Sequence, residues 1–150
     1  DLKCVVVGDA PYADDYKARL RATSDPRVIF TGYVFGEGYR ELGTNSYAFV
    51  ETSEVGGTHP ALLEAMAMGT AVVVNGTPEN RETIADAGLA YDGERGASAL
   101  APVLQRLLAA PTERDRLASA AAERAAKVYS WDAVTDQYEA LLLEMSGARR

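Results

Sequence analysis

The chain of 150 residues carries 22 acidic and 15 basic side chains, a net charge of −7, with 47% hydrophobic and 25% charged residues. Those figures suit one globular domain with one continuous core. The acidic balance disfavours nucleic acid and anionic membrane surfaces, which reward a basic patch, and no apolar run approaches the roughly 20 residues of a membrane-spanning helix. Cys4 is the sole cysteine and His59 the sole histidine. This removes internal disulfides, cysteine-based metal sites and any Ser-His-Asp system not built on that one ring. The N-terminus has no basic region, long apolar stretch or cleavage site, so it reads as no signal peptide. It also lacks an initiator Met, which suggests a fragment or a processed chain, and a cytoplasmic setting fits.

Residues 3–7 are a β-branched apolar run ending at Gly8-Asp9. A run without polar alternation predicts a strand covered on both faces, as in a parallel sheet, with Cys4 a buried small hydrophobe. Residues 13–22 read as a helix and 27–31 as a second strand stopped by Gly32; 36–42 form a short helix or turn, and 46–51 a third strand. Residues 60–68 are helical, with Pro60 at a first-turn position and Gly69 as the stop. Residues 70–74 are again apolar and β-branched, closed by Asn75-Gly76. A helix over 78–86 and a brief strand over 88–91 follow. The remainder, from about residue 97, reads as helices over 97–108, 113–128 and 132–144. The Ala-rich stretch from Ala118 is a strong helix former suited to close packing. Strands alternating with helices predict an α/β fold: a Rossmann-like three-layer α/β/α parallel sheet, in one domain over 1–150.

In open α/β sheets ligands bind beyond the carboxyl ends of the strands. The most informative such loop is Val55-Gly-Gly-Thr-His-Pro-Ala-Leu-Leu-Glu64. Gly56-Gly57 lets the backbone approach a ligand closely, and the free N–H groups at the following helix start form an anion site suited to phosphate. Glu64, about one turn inside, would repel phosphate but could accept hydrogen bonds from a ribose diol. The same spacing also serves a tight turn followed by a solvated glutamate. The glycines match neither the phosphate-loop pattern nor Gly-x-Gly-x-x-Gly, so a P-loop NTPase is not expected. Asp9, Asp14 and Asp15 could hold a cation, although loop and helix-start acids are usually solvated.

Several segments in order carry a resemblance: Cys-Val-Val-Val-Gly-Asp-Ala-Pro, Val-Ile-Phe-Thr-Gly-Tyr-Val, Ala-Phe-Val-Glu-Thr-Ser-Glu, and Pro-Ala-Leu-Leu-Glu-Ala-Met-Ala-Met-Gly before an apolar strand. Asn80-Arg-Glu-Thr-Ile and Tyr129-Ser-Trp-Asp continue it. Together they resemble the C-terminal half of GT-B glycosyltransferases, in particular the retaining family 4 group (glycosyl transferases group 1), with the first strand-helix unit of that half missing. The loop resembles that of rhamnosyltransferase-like members. The resemblance implies a nucleotide-sugar-binding domain of a retaining glycosyltransferase that moves a sugar from a nucleoside-diphosphate sugar to an acceptor such as a surface glycan. A GT-B-like sugar-nucleotide epimerase half and a non-catalytic interaction domain are the alternatives.

By the same resemblance, Glu64 holds the ribose hydroxyls, and Gly56, Gly57, Thr58, Pro60, Ala61 and Leu62 hold the donor sugar and phosphates. Gly32, Tyr33, Val34 and Phe35 pack against the base. The family pattern has a second glutamate where this chain has Gly56, so Glu54 or His59 is the candidate for the catalytic position beside the donor sugar. The expected partners are the nucleotide-sugar and the acceptor-binding N-terminal half of a parent, without which the isolated chain is expected to be inactive. No cofactor or metal is expected, and a second copy could supply the missing strand.

Overall fold

The computed structural model describes residues 2–55 and 57–147. They form two compact units, Asp1–Leu42 and Gly43–Arg150. The fold is α/β with parallel strands throughout, and the strands fall into two sheets of two and three.

The first unit holds β1 (Cys4–Val7), α1 (Asp14–Arg21) and β2 (Val28–Gly32), and α2 (Gly36–Thr44) runs across its boundary. β1 and β2 pair in parallel with Cys4 opposite Val28, and the register shifts at Val7, which lies opposite Gly32. The expectation of a doubly covered first strand is not met. All four residues of β1 are exposed, Cys4 included, with Val5 at 39%, Val6 at 37% and Val7 at 41%. The reason lies in α1. Its sequence Asp-Asp-Tyr-Lys-Ala-Arg-Leu-Arg sets acids in the first turn and arginines in the last, which suits the helix dipole, but it supplies no buried residue. β2 is half-buried at Val28, Ile29 and Phe30, so the exposure falls on β1.

The second unit is built on β4 (Val72–Asn75), flanked in parallel by β3 (Phe49–Glu51) and β5 (Leu89–Tyr91). Here the continuous apolar run is buried from end to end, as predicted for 70–74. Strand alternation sends its side chains to opposite faces. Val72 and Val74 join Leu62, Met66, Ile84, Ala121 and Ala125, whereas Val73 joins Tyr91, Leu107, Leu117 and Ala118. The helices that cover these faces are α3 (Pro60–Ala67), α4 (Pro78–Ile84), α5 (Ala97–Ala109) and α6 (Pro111–Val128), and α7 (Trp131–Met145) follows on α6. The Ala-rich stretch does what its composition suggests: Ala118, Ala121 and Ala125 are buried, so α6 approaches its neighbours closely. Helix starts follow local chemistry. Pro60, Pro78 and Pro111 take first-turn positions. Thr77 and Ser130 cap α4 and α7 by accepting from the N–H groups of Asn80 and Ala133.

Candidate functional site

The carboxyl ends of β3, β4 and β5 lie side by side in the second unit, with Glu51 beside Val74 and Asn75 beside Tyr91. The chain leaving β3 is turned by its own last residue. The Glu51 carboxylate accepts from the Ser53 N–H at 2.9 Å and from its hydroxyl at 2.6 Å. The buried Asn75 donates through Nδ2 to the Ser53 carbonyl at 3.2 Å, tying the start of the loop to β4. Asn75 is held in turn, because Asn80 Nδ2 donates to its carbonyl at 3.0 Å.

Beyond Ser53 the loop is open. Glu54, Val55, Gly57 and Thr58 are exposed, and Gly56 lies outside the described residues. His59 is half-buried and occupies the cap position of α3 in an extended conformation, without a capping bond from its ring. Its carbonyl accepts from the N–H groups of Leu62 at 3.1 Å and Leu63 at 3.2 Å. Pro60 has no N–H. The amide available to an anion at this helix start is therefore that of Ala61, together with those of the preceding loop. The side chain of Leu62 is wholly buried in the core. The apolar period of α3 turns Leu62, Ala65 and Met66 inward, so the Leu62 side chain has a packing role. Glu64, on the same helix, is exposed.

A groove of about 480 Å³ crosses the three strand ends, lined by Glu54, Asn75, Gly76, Thr77, Arg81, Asp92, Gly93 and Glu94. Two of its lining residues are glycine for a steric reason. A β-carbon on Gly76 would come within 2.7 Å of the Arg81 guanidinium and 2.8 Å of the Tyr91 carbonyl, and one on Gly93 would collide with the Asn75 amide. Arg81 donates through Nε to the Gly76 carbonyl at 3.0 Å. The Asp92 carboxylate accepts from the Glu94 N–H at 3.1 Å and caps the short turn Gly93–Arg95. Burial pushes the Tyr91 phenol above its ordinary range, and the carboxylates of Glu51 and Glu54 add to the shift. Sequence reasoning found Glu54 here but not Arg81, Asn75 or Asp92. The available signal was the pair Asn75-Gly76 and Asp92-Gly93, an Asx-Gly step at the end of each of two neighbouring strands.

The residues expected to meet the base belong to the first unit. Gly32 ends β2 with φ +68°, a conformation that favours glycine. Tyr33 and Phe35 are exposed, and their rings stack with centroids 5.8 Å apart and planes 15° from parallel. The Tyr33 hydroxyl donates to the Asp9 carbonyl at 3.1 Å, joining the loops after β1 and β2. Val34 is half-buried. Such an aromatic pair offers a flat apolar face. Two of the acids considered for a cation, Asp9 and Asp14, are engaged otherwise. Lys17 pairs with Asp9 at 3.0 Å and with Asp14 at 2.9 Å, which holds the Asp9 carboxyl below its ordinary range. No cluster of potential metal ligands exists among the described residues. Among them too, no helix is long and apolar enough to cross a membrane.

Comparison with known proteins adds three findings. The family model for glycosyl transferases group 1 matches residues 1–110. The alpha-monoglucosyldiacylglycerol synthase of Streptococcus pneumoniae (strain ATCC BAA-255 / R6) is 31% identical over 115 residues. That match takes in 73% of this chain, which spans only 25% of the relative's length. The sucrose-phosphate synthase structure from Thermosynechococcus elongatus superposes with a TM-score of 0.81 at 24% identity, over 97% of this chain and 39% of that one. This last likeness concerns the fold.

Proposed function

The chain belongs to the glycosyl transferases group 1 family, and on that premise we propose that it is the donor-nucleotide half of a retaining glycosyltransferase. The parent moves a sugar, of hexose or deoxyhexose type, from a nucleoside-diphosphate sugar to an acceptor such as a surface glycan. The observation that carries this reading is the placement of Glu64. It is exposed on α3, one turn beyond an open glycine loop that leaves a parallel strand at its carboxyl end. A carboxylate there accepts two hydroxyl hydrogens from a ribose diol, and the Ala61 and loop amides receive the diphosphate. In the first unit, the stacked Tyr33 and Phe35 offer an aromatic face of their own. Glu54, at the loop's other end, is the candidate carboxylate beside the donor sugar, with His59 as the candidate polar group at the start of α3. The side chains have little covalent work in such a transfer: they position the donor and stabilise charge developing on the leaving diphosphate.

The test is calorimetric titration of the longer transferase and its Glu64→Ala variant with uridine, thymidine and guanosine diphosphates. One of these binds the unaltered protein. The variant binds it about 10–100-fold more weakly, the range for losing hydrogen bonds to a charged acceptor. Equal affinity in the two proteins removes the ribose role. Failure of all three nucleotides to bind favours a scaffold without donor binding.

A further inference from the structure

We infer that the groove across the strand ends of the second unit is a sugar-binding subsite, in which Arg81 and Asp92 hold the hydroxyl groups of a pyranose ring. This deepens the glycosyltransferase reading and rests on it for the substrate class. Three observations carry it. The first is size: about 480 Å³ of space is ample for a single sugar ring. The second is that its lining is closely fixed. Neither Gly76 nor Gly93 tolerates a β-carbon without displacing Arg81 or Asn75, so these two groove-lining side chains are held in place by tight packing. The third is the arrangement of charge. Arg81 is fixed through Nε on the Gly76 carbonyl, which leaves its two terminal nitrogens for the groove. Glu54, Asp92 and Glu94 line the same groove, yet none forms an ion pair with Arg81 among the described residues.

A guanidinium and three carboxylates around one groove, separated rather than paired, suit a ligand that is both acceptor and donor at several points. Sugar hydroxyls have that character: their hydrogens go to the carboxylates and their oxygens accept from the guanidinium. A phosphate does not, because the carboxylates would oppose it. A simple cation does not either, because Arg81 would oppose it. The ring could come from the donor, whose candidate carboxylate Glu54 stands at one rim, or from the acceptor.

The amide signals of Gly76, Thr77, Gly93 and Glu94 in the 150-residue chain report occupancy by NMR. The ligands are methyl hexosides, methyl deoxyhexosides, the nucleoside diphosphates and their sugar conjugates. Saturable shifts with a methyl glycoside assign the subsite to an acceptor sugar. Shifts with a nucleotide sugar but not with its bare nucleotide assign it to the donor sugar. In either case Arg81→Gln and Asp92→Asn weaken the response at least tenfold, and Arg81→Lys restores part of it; asparagine retains the cap on Glu94, so the fold is kept. Absence of saturable shifts with every sugar, or equal affinities in both variants, overturns the inference. Glu64→Ala separates the two proposals: it weakens nucleotide binding about 10–100-fold if the donor reading holds, whereas the methyl glycoside response of the groove does not depend on it.

Discussion

Gly93 and the Asn75 side chain are fitted to each other so closely that a β-carbon at position 93 would lie 2.6 Å from both Cγ and Nδ2 of the amide. The contact joins the end of β5 to the end of β4. Asn75 is also the residue that fastens the loop after β3, so one side chain sets the spacing of all three strand ends.

Gly93→Ala is therefore expected to cost about 1–3 kcal/mol, the range for overpacking a tight site. Asn75→Ala removes the obstruction but leaves the Ser53 carbonyl without its donor, at a cost of about 1–3 kcal/mol. The double variant should lose less than the sum of the two, with a coupling of about 0.5–3 kcal/mol. Urea unfolding of the four proteins measures the cycle, and strict additivity would mean that the two positions do not meet.

Leu62→Ala should destabilise the chain by about 2–5 kcal/mol, because Leu62 is fully buried among Val72, Val74 and Met66. Val5→Ala, on the exposed β1, should stay within about 0.5 kcal/mol. The comparison places core and surface on the two apolar runs that look alike in sequence. Equal losses would contradict the burial difference.

Tyr91 should ionise above 10.0, the ordinary value for the phenol, since burial and then Glu51 and Glu54 disfavour the phenolate. Its folded pKa is raised above its unfolded one. The associated stability is thus present below pH 10 and declines as pH rises through the folded value, because the unfolded chain releases the proton first. Glu54→Gln should bring the titration down only in part, since burial is the larger cause. An NMR titration of the Tyr91 ring decides the matter, and ionisation at or below pH 10 would refute it.

Much of this was legible in the sequence because the second unit obeys local rules. Prolines mark helix starts, Thr77 and Ser130 cap, and the valines of β4 are buried on both faces. The same rule misled at β1, because an apolar run states what a strand can bury and not whether anything covers it. The burial of the Leu62 side chain was legible too, because the apolar spacing around it points inward. Arg81 was missed for a different reason. Its importance comes from a bond to the Gly76 carbonyl and from strand ends distant in sequence, and neither leaves a spacing pattern.

The exposure of β1 bears on how the molecule breathes. A strand pair with little buried apolar surface opens at a low free energy, whereas the interior strand β4 opens only when the surrounding core does. Amide hydrogen exchange should be rapid along residues 4–7 and slow along residues 72–75. While β1 is open it exposes Cys-Val-Val-Val, a short β-prone segment without charge, as a template for pairing with other chains. Self-association at high concentration would begin there, and a lysine in place of Val6 would suppress it.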